Sequence, residues 1–182
     1  MTNPSRAPDR ETRFSALYQA AYADLVRFAQ RRVQGHAEDV VAEAFLVAWR
    51  RMDEVPEQLV DARAWLFGVA RHAIMNTQRG AERRRALAVR LATAPSVSAG
   101  GDADLVAQQV DLAKAWDRLS AVHQEALALV VLDDLAAPQA AVVLGISPVA
   151  FRLRLSRARR ALRMHLDHRP DSTLAPAERQ SS

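Results

Sequence analysis

Apolar side chains in this chain recur every three or four residues and nowhere in sustained every-second-residue runs. Phe14, Leu17, Tyr18, Ala21, Leu25 and Phe28 fall on one helical face, and Val41, Ala44, Phe45, Ala48 and Met52 fall on another. A 3.6-residue period is the signature of amphipathic helices packed on a core, and the alternating Val/Ile/Thr runs of half-buried strands are absent. Composition agrees. Ala, Leu, Arg and Glu, all good helix formers, dominate, while only 6 Gly and 8 Pro interrupt 182 residues. With 49% hydrophobic residues the chain can bury a core, and the expected class is all-α.

Breaks in the pattern divide the chain. Residues 1–13 and 167–182 are polar and contain prolines, and both read as disordered tails. TAPSVSAGGDAD, residues 93–104, is rich in small residues and reads as a flexible linker between two small helical domains, 14–92 and 105–166. In the first domain one helix covers Phe14 to Phe28 and a second runs from about Ala37 to Met52. Asp61 is a candidate N-cap for a third helix through DARAWLFGVARHAIMNTQ, and the basic run RGAERRRALAVRL follows after a break near Gly80. Gly68 inside the third helix costs about 1 kcal/mol relative to Ala and implies close packing there. In the second domain, helices over 105–119 and 121–132 precede a short one in PQAAVVLG. Ser147 as N-cap and Pro148 at the first helical position then start a longer helix. Short helix, tight Gly145-Ile146-Ser147 turn and capped helix make a helix-turn-helix.

Several function classes drop out. No cysteine is present, so disulfides and thiolate metal sites are excluded. The start MTNPSRAPDRETR lacks the apolar core of a signal peptide, no stretch is apolar enough to insert in a membrane, and a bacterial cytoplasmic location is the expectation. The five histidines are scattered at 36, 72, 123, 165 and 168, with no HExxH spacing and no Gly-rich phosphate loop. His36 with Glu38 and Asp39 reads as a helix-entry loop rather than a metal site. No catalytic residues, metal or cofactor are expected.

Charge is the informative feature. The formal net charge is only +4, but among the basic residues Lys114 is the single lysine, and the arginines are segregated. GISPVAFRLRLSRARRALR, residues 145–163, holds six arginines and no carboxylate. Phe151, Leu155, Ala158 and Leu162 recur at helical spacing and dock that helix on its own domain. Arg152, Arg154, Arg157, Arg159, Arg160 and Arg163 cover the remaining circumference, where like charges three and four residues apart repel. An anionic polymer relieves that repulsion, and the helix-turn-helix context suits a recognition helix in a major groove. Two further features stand in the first domain. Asp39 and Glu43 lie at i and i+4 beside Glu38, either as an acidic first turn favoured by the helix dipole or as a docking face for a basic partner. WLFGVARHAIMNTQRGAERRR joins an aromatic-bearing helix to clustered arginines, a combination that suits single-stranded nucleic acid, although Trp65 itself reads as core.

DVVAEAFLVAWRRM, then ARAWLFGVARH, then LGISPVAFRLRLSRARRAL, in this order over residues 14–166, resemble the extracytoplasmic-function (ECF) branch of bacterial sigma factors in the sigma-70 family. The resemblance implies a region 2-like helical bundle and a region 4-like helix-turn-helix, acting with core RNA polymerase and promoter DNA in transcription initiation. It assigns polymerase docking to Asp39, Glu43, Leu46 and Trp49. It assigns minus-ten DNA contacts to Arg71, His72, Asn76, Arg79, Arg83 and Arg84, and minus-thirty-five contacts to Ser147, Val149, Arg152, Leu153, Arg154 and Arg157. An anti-sigma factor is a further implied partner. The chain departs from the family pattern at Ala42 for the usual Gln and at His72 for Asn. Pro138-Gln139 stands for an acidic pair, Val149-Ala150 for Gly-Thr, and Leu153 for Ser. An apolar Leu153 facing the groove suits thymine methyl groups. A stand-alone helix-turn-helix regulator and a protein-binding adaptor are the alternatives, but no sustained heptad seam supports the dimer that the former needs.

Overall fold

The computed structural model of the chain describes residues 6–33, 35–77 and 103–167, and within them every regular element is helical. Helix α1 (Arg6–Gln30), α2 (Ala37–Arg50) and α3 (Leu59–Thr77) form the first domain, with a 3₁₀ turn at Met52–Glu54 between α2 and α3. Helices α4 (Ala103–Asp117), α5 (Ala121–Val131), α6 (Ala137–Leu144) and α7 (Pro148–Asp167) form the second.

Four expectations are corrected. The tail expected over residues 1–13 is helical from Arg6 onward. Pro8 lies in the first turn, where a missing N–H breaks no intrahelical bond, and tertiary contacts hold the turns that follow. The Arg13 guanidinium donates to the Val55 carbonyl at 3.0 Å, and Arg10 donates to the Trp49 carbonyl while its guanidinium lies 5.0 Å over the Trp49 ring. Asp61 is not the N-cap of α3, because the helix already starts at Leu59. Tyr18, expected on the buried face of α1, is 42% exposed. The linker expected at 93–104 gives way to α4 at Ala103, and its earlier residues lie outside the described ones, as do residues 168–182.

The apolar stripes otherwise pack as their spacing dictates. Leu17, Ala21, Leu25 and Phe28 of α1 meet Val41, Ala44, Phe45 and Ala48 of α2 and Leu66, Phe67, Ala70 and Ile74 of α3 in the core. The Phe28 and Phe67 rings join α1 to α3 with centroids 4.9 Å apart. In the second domain α4, α5 and α6 all pack on α7, around Trp116, Leu127, Leu129, Val143, Phe151 and Leu155.

The two domains also pack on each other, chiefly through α3 against α6. Gly68 lies at this contact: a Cβ there would stand 3.8 Å from the Val143 Cα and 4.0 Å from the Val142 carbonyl oxygen, ordinary van der Waals distances that leave room for a methyl group and little more. A larger side chain would hold the helices apart, so the close packing implied by Gly68 is an approach between domains.

Candidate nucleic-acid and polymerase interfaces

Helix α7 is built to present one face. The Ser147 hydroxyl accepts from the Ala150 N–H at 3.2 Å, satisfying one of the free donors of the first turn. Gly145, with φ +65°, supplies the left-handed residue that ends α6 and turns the chain into α7. Phe151, Leu155 and Ala158 are buried and fix the helix's rotation about its axis. Val149, Arg152, Leu153 and Arg157 are therefore exposed, with Val149 and Leu153 unusually bare for apolar residues at 68% and 52%. Arg154 is half-buried, turned toward the first domain. A rigid helix with an exposed mix of guanidinium and aliphatic groups can pair with phosphates and base edges and can cover thymine methyls.

On α2 the buried side, Val40, Val41, Ala44, Phe45 and Ala48, lies opposite an exposed one holding Asp39, Glu43, Leu46 and Trp49. The His36 Nδ1 lies 3.6 Å from an Asp39 carboxylate oxygen, while Leu46 and Trp49 are 47% and 37% exposed. Phe14 packs edge-on against Trp49 with centroids 5.2 Å apart, and Tyr18 and Tyr22 stack beside Phe45. Acidic, aliphatic and aromatic groups thus form one continuous surface. Sequence reasoning missed Tyr18 and Tyr22 as part of it, since their helical positions border the apolar stripe. At the far end of α2, Arg51 pairs with Glu54 through their side chains, which raises the guanidinium's pKa and lowers the carboxyl's.

The residues assigned to minus-ten contact are divided. His72 and Asn76 are exposed on α3, and Arg79, Arg83 and Arg84 lie outside the described residues. Arg71 is drawn into the domain interface, its Nε 3.7 Å from Glu125 of α5 and its side chain 19% exposed. Burial lowers its pKa; the Glu125 carboxylate opposes that shift, and the neighbouring Arg32 and Arg154 charges add to it. A cavity of about 490 Å³ opens beside it, lined by Glu43, Trp65, Gly68, His72 and Val142 among others.

The interface also holds polar residues that the sequence did not single out. Arg31 and Arg32, in the turn that follows α1, both pair with the buried Asp133 carboxylate in the turn between α5 and α6, the Arg32 contact at 2.9 Å. Arg32 also reaches Glu125 at 3.3 Å and stacks over Phe28 at 3.6 Å. Arg63 of α3 donates to the Asp133 carbonyl at 2.7 Å and to Asp24 at 2.8 Å. The pairs across the interface join residues about a hundred or seventy positions apart, so no local pattern could have announced them.

Among the described residues no cluster of His, Cys, Asp and Glu is arranged to hold a metal ion, and no helix is long and apolar enough to cross a membrane. Comparison with known proteins places both domains. Residues 17–84 match the family model for sigma-70 region 2, and residues 109–162 match that for sigma-70 region 4. The chain is 33% identical over 154 residues to the ECF RNA polymerase sigma factor SigL of Mycobacterium tuberculosis, covering 83% of this chain and 87% of that one. It is 29% identical over 141 residues to the RNA polymerase sigma factor CnrH of Cupriavidus metallidurans, covering 71% and 73%. Among solved structures it resembles CnrH in complex with the cytosolic domain of CnrY, with a TM-score of 0.54 and 27% identity over 85% of this chain and 87% of that one. It resembles equally the sigma factor RpoE of Bartonella quintana in complex with the anti-sigma factor NepR, with a TM-score of 0.54 and 26% identity over 88% and 98%. Two matched regions in the family's order, a relative alike over most of both lengths and a common fold make this chain a member of the ECF branch of the sigma-70 family of RNA polymerase sigma factors.

Proposed function

We propose that this sigma factor divides its work between the faces described above. The exposed side of α2, with Asp39, Glu43, Leu46 and Trp49, docks on core RNA polymerase, and Tyr18 and Tyr22 extend that surface. Arg71, His72 and Asn76 on α3, with Arg79, Arg83 and Arg84 beyond it, engage the minus-ten element. Helix α7 reads the minus-thirty-five element as duplex through Val149, Arg152, Leu153, Arg154 and Arg157, while Ser147 fixes the start of that helix. The protein works in the bacterial cytoplasm and is no enzyme. An anti-sigma protein is a fitting regulator, since structural relatives are held in complexes of that kind.

The observation that carries the DNA assignment is the outward face of α7. Three buried residues, Phe151, Leu155 and Ala158, leave Arg152 and Arg157 exposed with no carboxylate on the helix before Asp167. The test is capture by purified core polymerase, followed by sequencing of the transcripts that the complex makes on genomic DNA. Co-elution with defined start sites is the expected result. Failure to bind core, where a known sigma factor binds, would return the chain to the stand-alone regulator or adaptor.

A further inference from the structure

Helix α1 continues its inward stripe past the apolar residues and into arginine. Arg10, Arg13, Phe14 and Leu17 stand at the i, i+3, i+4 and i+7 positions of one helical face, and both arginines are half-buried. Their guanidiniums reach carbonyls at the two ends of the link between α2 and α3: Arg13 donates to Val55 at 3.0 Å and Arg10 donates to Trp49. The Trp49 carbonyl lies in the last turn of α2, where carbonyls lack intrahelical donors and the helix dipole favours a cation. The same Arg10 guanidinium stands 5.0 Å over the Trp49 ring. Phe14, one turn further along α1, meets that ring edge-on at 5.2 Å. A planar guanidinium donates along its edge while its face covers a ring, so one arginine holds both the backbone and the side chain of Trp49.

This hold falls on a residue outside the core. Trp49 remains 37% exposed, whereas Trp65 is half-buried and Trp116 is buried. An exposed indole without such contacts samples several rotamers, and fixing it in a complex costs conformational entropy at the moment of binding. An indole already fixed on the free chain avoids that cost. Steering does not account for Arg10. Asp39 and Glu43 make the exposed side of α2 acidic, and a cation on that side weakens the attraction to a basic partner.

We propose that Arg10 is a positioning residue for polymerase docking: it holds the Trp49 indole in the orientation that the polymerase meets, and so makes the first turns of α1 part of the docking machinery. This rests on the reading of α2 as the docking face. Trp49 makes the contact, and Arg10 acts through Trp49.

The test is a double-substitution cycle on the full chain, with Arg10→Ala, Trp49→Ala and the two together. One readout is the dissociation constant for purified core polymerase. The other is acrylamide quenching of tryptophan emission in the free chain, which reports chiefly on Trp49 as the most exposed of the 3 tryptophans. Arg10→Ala removes no core side chain, and circular dichroism checks that helicity is kept. Arg10→Ala should weaken core binding about two- to tenfold, the cost of fixing one large side chain, and should steepen the quenching. With Trp49 already replaced by Ala, Arg10→Ala should change neither readout. An effect of charge alone has the opposite sign, since loss of a cation tightens binding to a basic partner. Unchanged quenching in Arg10→Ala would overturn the hold on the indole whatever polymerase binding gives. Equal weakening with and without Trp49 would make Arg10 a polymerase contact in its own right, and unchanged or tighter core binding would remove its role; either result overturns the proposal. If Trp49→Ala itself leaves core binding intact, the docking role of Trp49 falls and that of Arg10 with it, while the quenching still measures whether the indole is held.

Discussion

Ser147 meets two demands with a single oxygen. Its hydroxyl already accepts from the Ala150 N–H, so the side chain that family resemblance puts near DNA is committed to holding the first turn of α7. Ser147→Ala should cost about 1 kcal/mol in urea unfolding, and Ser147→Asp, an equally good cap, should restore it. Arg152 has the opposite character, since it is exposed on a helix whose rotation Phe151 and Leu155 fix. Arg152→Ala should leave unfolding unchanged and cost roughly 1 to 3 kcal/mol of promoter discrimination if its partner is a base edge. Comparing transcription from promoters with intact and scrambled upstream elements measures this, and equal loss on both would make the contact a phosphate one. The cap and the outward position of Arg152 were legible in the sequence because cap and apolar spacing are local. The exposure of Tyr18 was not, because a position bordering the apolar stripe faces inward or outward according to what the neighbouring helix covers.

Helices and turns test the glycines. Gly145 ends α6 at φ +65° with open space where a Cβ would stand, so Gly145→Ala should lose about 1 to 2 kcal/mol through backbone strain alone. Gly68 is different, for its backbone is helical and the nearest atom to an added Cβ is the Val143 Cα at 3.8 Å, an ordinary contact. Gly68→Ala should therefore be neutral or raise stability by up to about 1 kcal/mol through helix propensity. Thermal unfolding of the two variants checks both signs. A marked loss at Gly68 would mean that the approach of α3 to α6 tolerates no methyl group. Helices α5, α6 and α7 were readable almost to the residue because each carries its own start or stop signal, Ser120, Gly145 and Ser147. The first turns of α1 were not, since Arg10 and Arg13 are anchored by carbonyls of Trp49 and Val55, far along the chain.

Taken as one body, the protein carries an acidic and aromatic face on α2, proposed to dock on polymerase, and a basic face on α7, proposed to read DNA, on elements that belong to different domains. Asp39→Ala with Glu43→Ala should weaken binding to core polymerase, with both residues exposed and no core lost. The same double substitution should leave duplex DNA binding by the free chain unchanged or slightly tighter, as negative charge is removed. Co-elution with core and a duplex titration separate the two effects. Unaltered polymerase binding would show that α2 docks elsewhere or through its apolar residues alone.

Helical class, helix positions, the helix-turn-helix and the polarity of α7 all follow from spacing within about twenty residues, where side chains i, i+3 and i+4 share a face whatever the rest of the chain does. The packing of one domain on the other could not follow from spacing. Arg31, Arg32 and Arg63 look like ordinary solvated cations in their own stretch of chain, and Asp133 and Glu125 like ordinary surface acids, until folding buries them together across the domain interface. Such a pairing depends on where two domains come to rest against each other, and the periodicity of either one carries no trace of it.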